Sequence, residues 1–151
     1  MLRITVLAEN TGCGNCQGEH GLSLFIEKDE YKILLDAGKS PLFAENALTL
    51  GVNLKSVDFA VLSHSHYDHA DGFDTFFEMN KGAKLYVREG TGETYFSKHG
   101  EELKYIGPKK GMLEKYQDRI VFVHEDYTRI EEESMVLIPH NTENLATIGE
   151  K

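Results

Sequence analysis

Phe59-Ala60-Val61-Leu62-Ser63-His64-Ser65-His66-Tyr67-Asp68-His69 holds more chemical information than any other part of this chain. Val57 to Leu62 is nearly continuously apolar, the pattern of a strand covered on both faces. Three imidazoles and a carboxylate then follow within six residues, nitrogen and oxygen donors suited to zinc or iron. Where an extended strand end opens into a loop, residues two apart can converge on one ion. Asp68 and His69, past the bend into the next helix, can point to a second ion. Two adjacent ions would share a bridging water whose lowered pKa makes it a nucleophile near neutral pH. A histidine-rich exposed turn that binds nothing is the bland alternative. The donor types, their spacing and their place at the C-terminal end of a buried strand weigh against it.

Working outward, Leu2, Ile4, Val6 and Ala8 alternate with Arg3, Thr5 and Leu7, the period of a strand with one face buried. Asn10 to Gly18 is rich in turn residues and reads as a loop. Leu22–Ile26 and Tyr31–Leu35 read as strands joined tightly through Lys28-Asp29-Glu30, which predicts a hairpin. Ser40 as N-cap, Pro41 at the first helical position and Gly51 at the stop frame a helix. Phe43, Ala47 and Leu50 recur along it at the spacing of a sheet-facing stripe.

Downstream, a short helix is expected over Phe73–Met79, with Phe73, Phe76 and Phe77 as core residues rather than substrate contacts. Lys84–Val87, Ile120–Val123 and Met135–Ile138 read as strands, and Pro139 ends the last. Between Glu89 and Lys110 the chain is polar and aromatic. Weak helical periodicity near Ser97–Tyr105 predicts a partly helical excursion, in which Tyr95, Phe96 and Tyr105 could line a pocket. Strands alternating with helices, without repeat or linker, indicate one α/β (α+β layered) domain over residues 1–151.

A length of 151 residues suits a single domain, and 40% hydrophobic residues can supply its core. The net charge of −9 argues against a nucleic-acid or anionic-membrane surface, since both need clustered positive charge. No apolar run approaches the roughly 20 residues that span a bilayer. The first eight residues alternate and lack a signal peptide's continuous apolar centre, so a cytoplasmic location is expected. Cys13 and Cys16 allow one bridge at most. Their Gly-rich setting favours an ordinary loop over a redox pair, and a redox pair over a structural zinc site.

His64-x-His66-x-Asp68-His69 resembles the signature of the metallo-β-lactamase-fold superfamily, whose members are mostly metal-dependent hydrolases. Leu34-Leu35-Asp36-Ala37-Gly38 resembles the upstream motif of that family. Ala8-Glu9-Asn10-Thr11 and Glu19-His20-Gly21-Leu22-Ser23-Leu24-Phe25-Ile26-Glu27 narrow the likeness to the dihydropterin/ribofuranosylaminobenzene phosphate synthase-like, metal-dependent hydrolase branch. The resemblance covers about the first 90 residues. It implies His64 and His66 as ligands of one metal and Asp68 and His69 as ligands of another. In one-metal members Asp68 would also orient the attacking water, and Asp36 would be a supporting residue rather than a ligand. Zinc is the implied metal, two ions in a completed site, with iron or manganese as alternatives. Where the family commonly has two glycines after Asp-His-x, this chain has Asp71 and Gly72, and Asp71 would suit a helix start.

The resemblance also implies a four-layer αβ/βα sandwich of two similar halves, of which this chain matches the first. The further ligands would lie in the second half, and two donors per ion are too few for a tetrahedral site. His140, after the Met135–Ile138 run, is the best-placed additional ligand, although a loop histidine is the commoner reading; His20, His99 and His124 are weaker candidates. Half a sandwich leaves one apolar sheet face uncovered, which leads to an expectation of self-association or of a chain truncated at its C-terminus. Functionally, the resemblance implies metal-activated water attacking an ester, lactone, amide or phosphoester of a small-molecule substrate. The alternatives are an inactive metal-binding half-domain, a pterin-related transferase or synthase, and a di-iron redox protein. The last would be expected to carry a glutamate among its ligands, and these four positions have none.

Overall fold

The computed structural model describes residues 1–124, 127–130 and 135–137. Six strands form one mixed sheet in the order β1-β2-β3-β4-β5-β8. They are β1 (Leu2–Ala8), β2 (Ser23–Lys28), β3 (Tyr31–Leu35), β4 (Phe59–Val61), β5 (Lys84–Arg88) and β8 (Ile120–Val123). The pairs β1–β2 and β2–β3 are antiparallel, while β3, β4, β5 and β8 run parallel. The expected hairpin is present, and Asp29 turns it with a φ of 53°. The α/β layering expected from the sequence is the observed architecture.

Strand register explains the core. Residues paired across the sheet share a face, because side chains alternate along each strand. Phe25, Leu34, Ala60, Leu85 and Ile120 lie in one such row. The first four of them are buried. Helices α1 (Leu42–Thr49) and α3 (Phe73–Met79) cover that row with Phe43, Ala47, Phe73, Phe76 and Phe77. Each buried phenylalanine contributes about 1.5–3 kcal/mol by leaving water, so this layer dominates the fold. The α3 span coincides with the expected helix. For α1, Pro41 takes the N-cap, one position later than expected, and the Ser40 hydroxyl just before it accepts the Leu42 N–H at 3.1 Å.

The neighbouring row is Val6, Leu24, Leu35, Val61, Tyr86 and Val121, on the opposite face. No helix lies over it among the described residues. Leu2, Ile4 and Val6 are 61%, 53% and 48% exposed. This corrects the expectation that they form the buried side of β1. A register irregularity between Val6 and Ala8 instead turns both Leu7 and Ala8 inward.

Two further expectations are corrected, for the excursion and for Asp71. The expected partly helical excursion is a β-hairpin, β6 (Phe96–His99) and β7 (Glu102–Tyr105), turned at Gly100 with a φ of 63°. The Phe96 and Tyr105 rings pack edge to face across it, a cross-strand pair that outweighs weak helical periodicity. Met135–Leu137 is a strand as expected, β10, and it pairs with β9 (Thr128–Ile130) outside the main sheet. Asp71 does not cap α3; its carboxylate accepts the Lys109 N–H at 2.6 Å and ties the excursion down. The same segment is held by Asp74, which accepts from Lys109, Lys115 and Tyr116 at 2.7–2.8 Å. Lys115 and Tyr116 belong to and follow the one-turn helix α4 (Met112–Lys115). No helix among the described residues is long and apolar enough to cross a membrane.

Candidate metal centre

The loop after β4 runs directly into a one-turn helix, α2 (Tyr67–Ala70), with His66 in extended backbone at its N-cap. The His66 carbonyl accepts from His69 and Ala70, so His64 and His66 stay on the strand side while Asp68 and His69 enter the helical turn. Ring centroids of His64 and His66 are 4.6 Å apart, and those of His64 and His69 4.1 Å. Asp68 Oδ2 lies 3.5 Å from His69 Nε2. The four residues singled out in the sequence are therefore gathered at the C-terminal end of β4.

Close backbone approach holds the turn in place. An added Cβ at Gly72 would lie 1.9 Å from the Ala37 carbonyl oxygen, so only glycine lets the end of α2 pass the end of β3. Gly21 has the same role on the other side: its Cβ would meet the Asp68 carbonyl at 2.1 Å. The Leu22 N–H reaches that same carbonyl at 3.4 Å. This brings His20 in, with Nε2 at 3.3 Å from Asp68 Oδ2.

Asp36 lies beneath the cluster. It is fully buried and has a φ of 58°, a left-handed conformation that Asp tolerates better than most residues. Oδ1 accepts the Ser63 N–H at 2.7 Å. Oδ2 accepts the Ser63 hydroxyl at 2.6 Å and faces His69 Nδ1 at 2.7 Å. A carboxylate only accepts, so the single Ser63 hydrogen is committed to Asp36. The Ser63 oxygen, 3.0 Å from His64 Nδ1, is then left to accept from that ring. Both His64 and His69 thus carry hydrogen on Nδ1 and leave Nε2 free as a donor to a cation, the arrangement that outer partners impose on metal-binding histidines.

Electrostatics separates the two rings. Burial, then the neighbouring His69 and His66, lower the His64 pKa and favour its neutral, ligating form. The hydrogen bond to Asp36 raises that of His69. The donor chemistry fits a divalent cation. The shell is not closed by these side chains: among the described residues no group of three or more His, Cys, Asp or Glu is arranged to hold an ion. The histidines instead lie ring to ring, edge-on or tilted.

His140 lies outside the described residues. His124 pairs with Glu89 at 3.1 Å, away from the contacts described for the cluster, and His99 is the last residue of β6. Cys13 and Cys16 are unbridged and face each other across a tight loop through two 3.0 Å backbone hydrogen bonds. Sequence reading passed over Ser63, whose signal was a hydroxyl between a buried strand and the first histidine. It left His20 open, and only the fold reveals that contact.

Comparison with known proteins gives a consistent set of likenesses. Residues 31–127 match the family model for the beta-lactamase superfamily domain. An uncharacterized protein of Methanocaldococcus jannaschii is 37% identical over 75 residues, 50% of this chain and 29% of its own length. The 7,8-dihydropterin-6-methyl-4-(beta-D-ribofuranosyl)-aminobenzene-5'-phosphate synthase of the same organism is 32% identical over 111 residues, 66% of this chain and 37% of its own. The crystal structure of Tm1679, a metal-dependent hydrolase of the beta-lactamase superfamily, superposes with a TM-score of 0.62 at 28% identity. It covers 87% of this chain and 46% of that one. The FEZ-1 metallo-beta-lactamase of Legionella gormanii shares the fold, with a TM-score of 0.52 at 19% identity over 89% of this chain and 51% of that one. The chain therefore spans about a third of the curated relatives it matches and about half of these solved structures.

Proposed function

The chain belongs to the beta-lactamase superfamily, and we propose that it is a metal-dependent hydrolase-type domain acting on an ester, lactone, amide or phosphoester. One observation carries this reading: three imidazoles and the Asp68 carboxylate gather at the end of β4, over a buried Asp36 that dictates which nitrogens are free. His64 and His66 would hold one divalent cation, and Asp68 and His69 a second. Bound cations, for which zinc is the first choice and iron or manganese the alternatives, would supply a water of lowered pKa and Lewis acidity toward the substrate.

The chain's own residues have distinct tasks. Asp36 and Ser63 orient His64 and His69 through Nδ1. Asp68 presents Oδ2 between His20 and His69, the place from which a carboxylate can accept the proton of an attacking water. Zinc content per chain, native mass and hydrolysis of p-nitrophenyl acetate and bis(p-nitrophenyl) phosphate, with and without a chelator, test the reading. We expect up to two ions per centre and turnover that chelation abolishes; stoichiometric metal without turnover of any such ester would overturn it.

A second reading, an inactive metal-binding half-domain, is favoured by the absence of a ready three-donor group among the described residues. Weak metal binding with an intact fold would support it. The synthase among the relatives keeps a third in play, a pterin-related transferase or synthase role. Its expected mark is a product in which a pterin group has been transferred rather than hydrolysed.

A further inference from the structure

Beside the histidines, β5 ends in Arg88, and a pocket of about 190 Å³ opens between the two strand ends. Arg88, Ser65, Thr91 and Tyr95 line it together with His64 and His66. Tyr95 stands over His66, ring centroids 6.1 Å apart, with its hydroxyl committed to the Gly90 carbonyl. Glu89 also lines the pocket, but its carboxylate faces His124 at 3.1 Å. No carboxylate among the described residues pairs with Arg88. β5 places Arg88 on the open side of the sheet, because Leu85 and Val87 turn toward the helices.

We propose that this pocket is an oxyanion subsite, in which Arg88 receives a phosphoryl or carboxylate group of the substrate while the reacting bond lies at the histidines. The proposal rests on the cluster being the reaction centre. The guanidinium fork matches the paired oxygens of phosphate and carboxylate, and the Ser65 and Thr91 hydroxyls add neutral donors at the same wall. A chain of net charge −9 repels anions at long range, so a cation at the pocket mouth decides whether an anionic substrate can settle there.

Calorimetric titration with inorganic phosphate, and separately with acetate, tests this on the chain as purified and after loading with zinc. Arg88→Gln is expected to weaken phosphate binding about 10- to 100-fold in both states, the range for losing a charged hydrogen-bond partner. Arg88→Lys should recover part of that loss. Arg3→Gln removes the same charge from β1 and should change nothing. Dependence on Arg88 for acetate but not phosphate would assign a carboxylate-bearing substrate instead. In turnover, Arg88→Gln should raise KM for p-nitrophenyl phosphate and leave KM for uncharged p-nitrophenyl acetate unchanged. Equal phosphate and acetate affinities in wild type and Arg88→Gln, or no binding of either anion, overturn the subsite. Arg88-dependent anion binding without hydrolysis of any ester overturns the hydrolase reading and leaves the subsite standing.

Discussion

The two faces of the six-stranded sheet are built from similar residues and meet opposite fates. On one, Phe25, Leu34, Ala60 and Leu85 are buried beneath the phenylalanines of α1 and α3. On the other, Leu2, Ile4 and Val6 stand about half exposed, beside a row of Leu24, Leu35, Val61 and Tyr86. Apolar side chains on both sides of a strand signal burial on both sides, yet the described residues cover one. The lesson is that stability here comes from the helical layer, while the open layer is apolar surface of the kind that marks contact with something else.

The largest test of that asymmetry is Phe76→Ala. A fully buried ring under the sheet should cost about 3–5 kcal/mol, read from denaturant unfolding followed by circular dichroism. Next comes Asp36→Asn, at the edge where the covered face meets the cluster. Losing a buried acceptor for Ser63 and His69 should cost about 1–3 kcal/mol and weaken zinc binding about 10- to 100-fold, measured by calorimetry and competition with a chromogenic chelator.

Asp74 gives a smaller effect, visible in acid. Hydrogen bonds from Lys109 and Lys115 hold its carboxyl well below the usual range. Its folded pKa is depressed, so its contribution is complete above the ordinary aspartate value of about 3.9. The contribution is lost as pH falls through the lower folded value. Asp74→Asn should therefore flatten the decline of stability below about pH 4 in unfolding curves collected across pH. Smallest is Ile4→Ala on the open face, within about 0.5 kcal/mol. A cost that grows with protein concentration would instead mark a second copy seated there, the self-association expected from the sequence.

Elements with a strong local signature were legible before any coordinates. Phe73–Met79 has its phenylalanines at helical spacing, and Ser40-Pro41 announces α1 by cap chemistry. The gathering of His64, His66, Asp68 and His69 follows from spacing within a single turn. What stayed hidden depends on distant partners. Alternation in β1 shows that one side is apolar, but not on which side the helices lie. The β6–β7 hairpin is polar along its length, and Gly100 with the Phe96–Tyr105 pair was its faint signal. His20 meets Asp68 across 48 positions of sequence, through a contact that depends on the missing side chain of Gly21.

The loop bearing Cys13 and Cys16 has a practical corollary. These are the chain's two cysteines, and Cys13 is the exposed one, on the arm that leads to His20. A thiol-reactive fluorophore attached there would need no engineered anchor. Because the chain has no tryptophan, its emission would stand clear of competing indole signal. Loading the centre with zinc or phosphate could then be followed optically, as a change in dye brightness or polarisation on the arm beside the imidazoles.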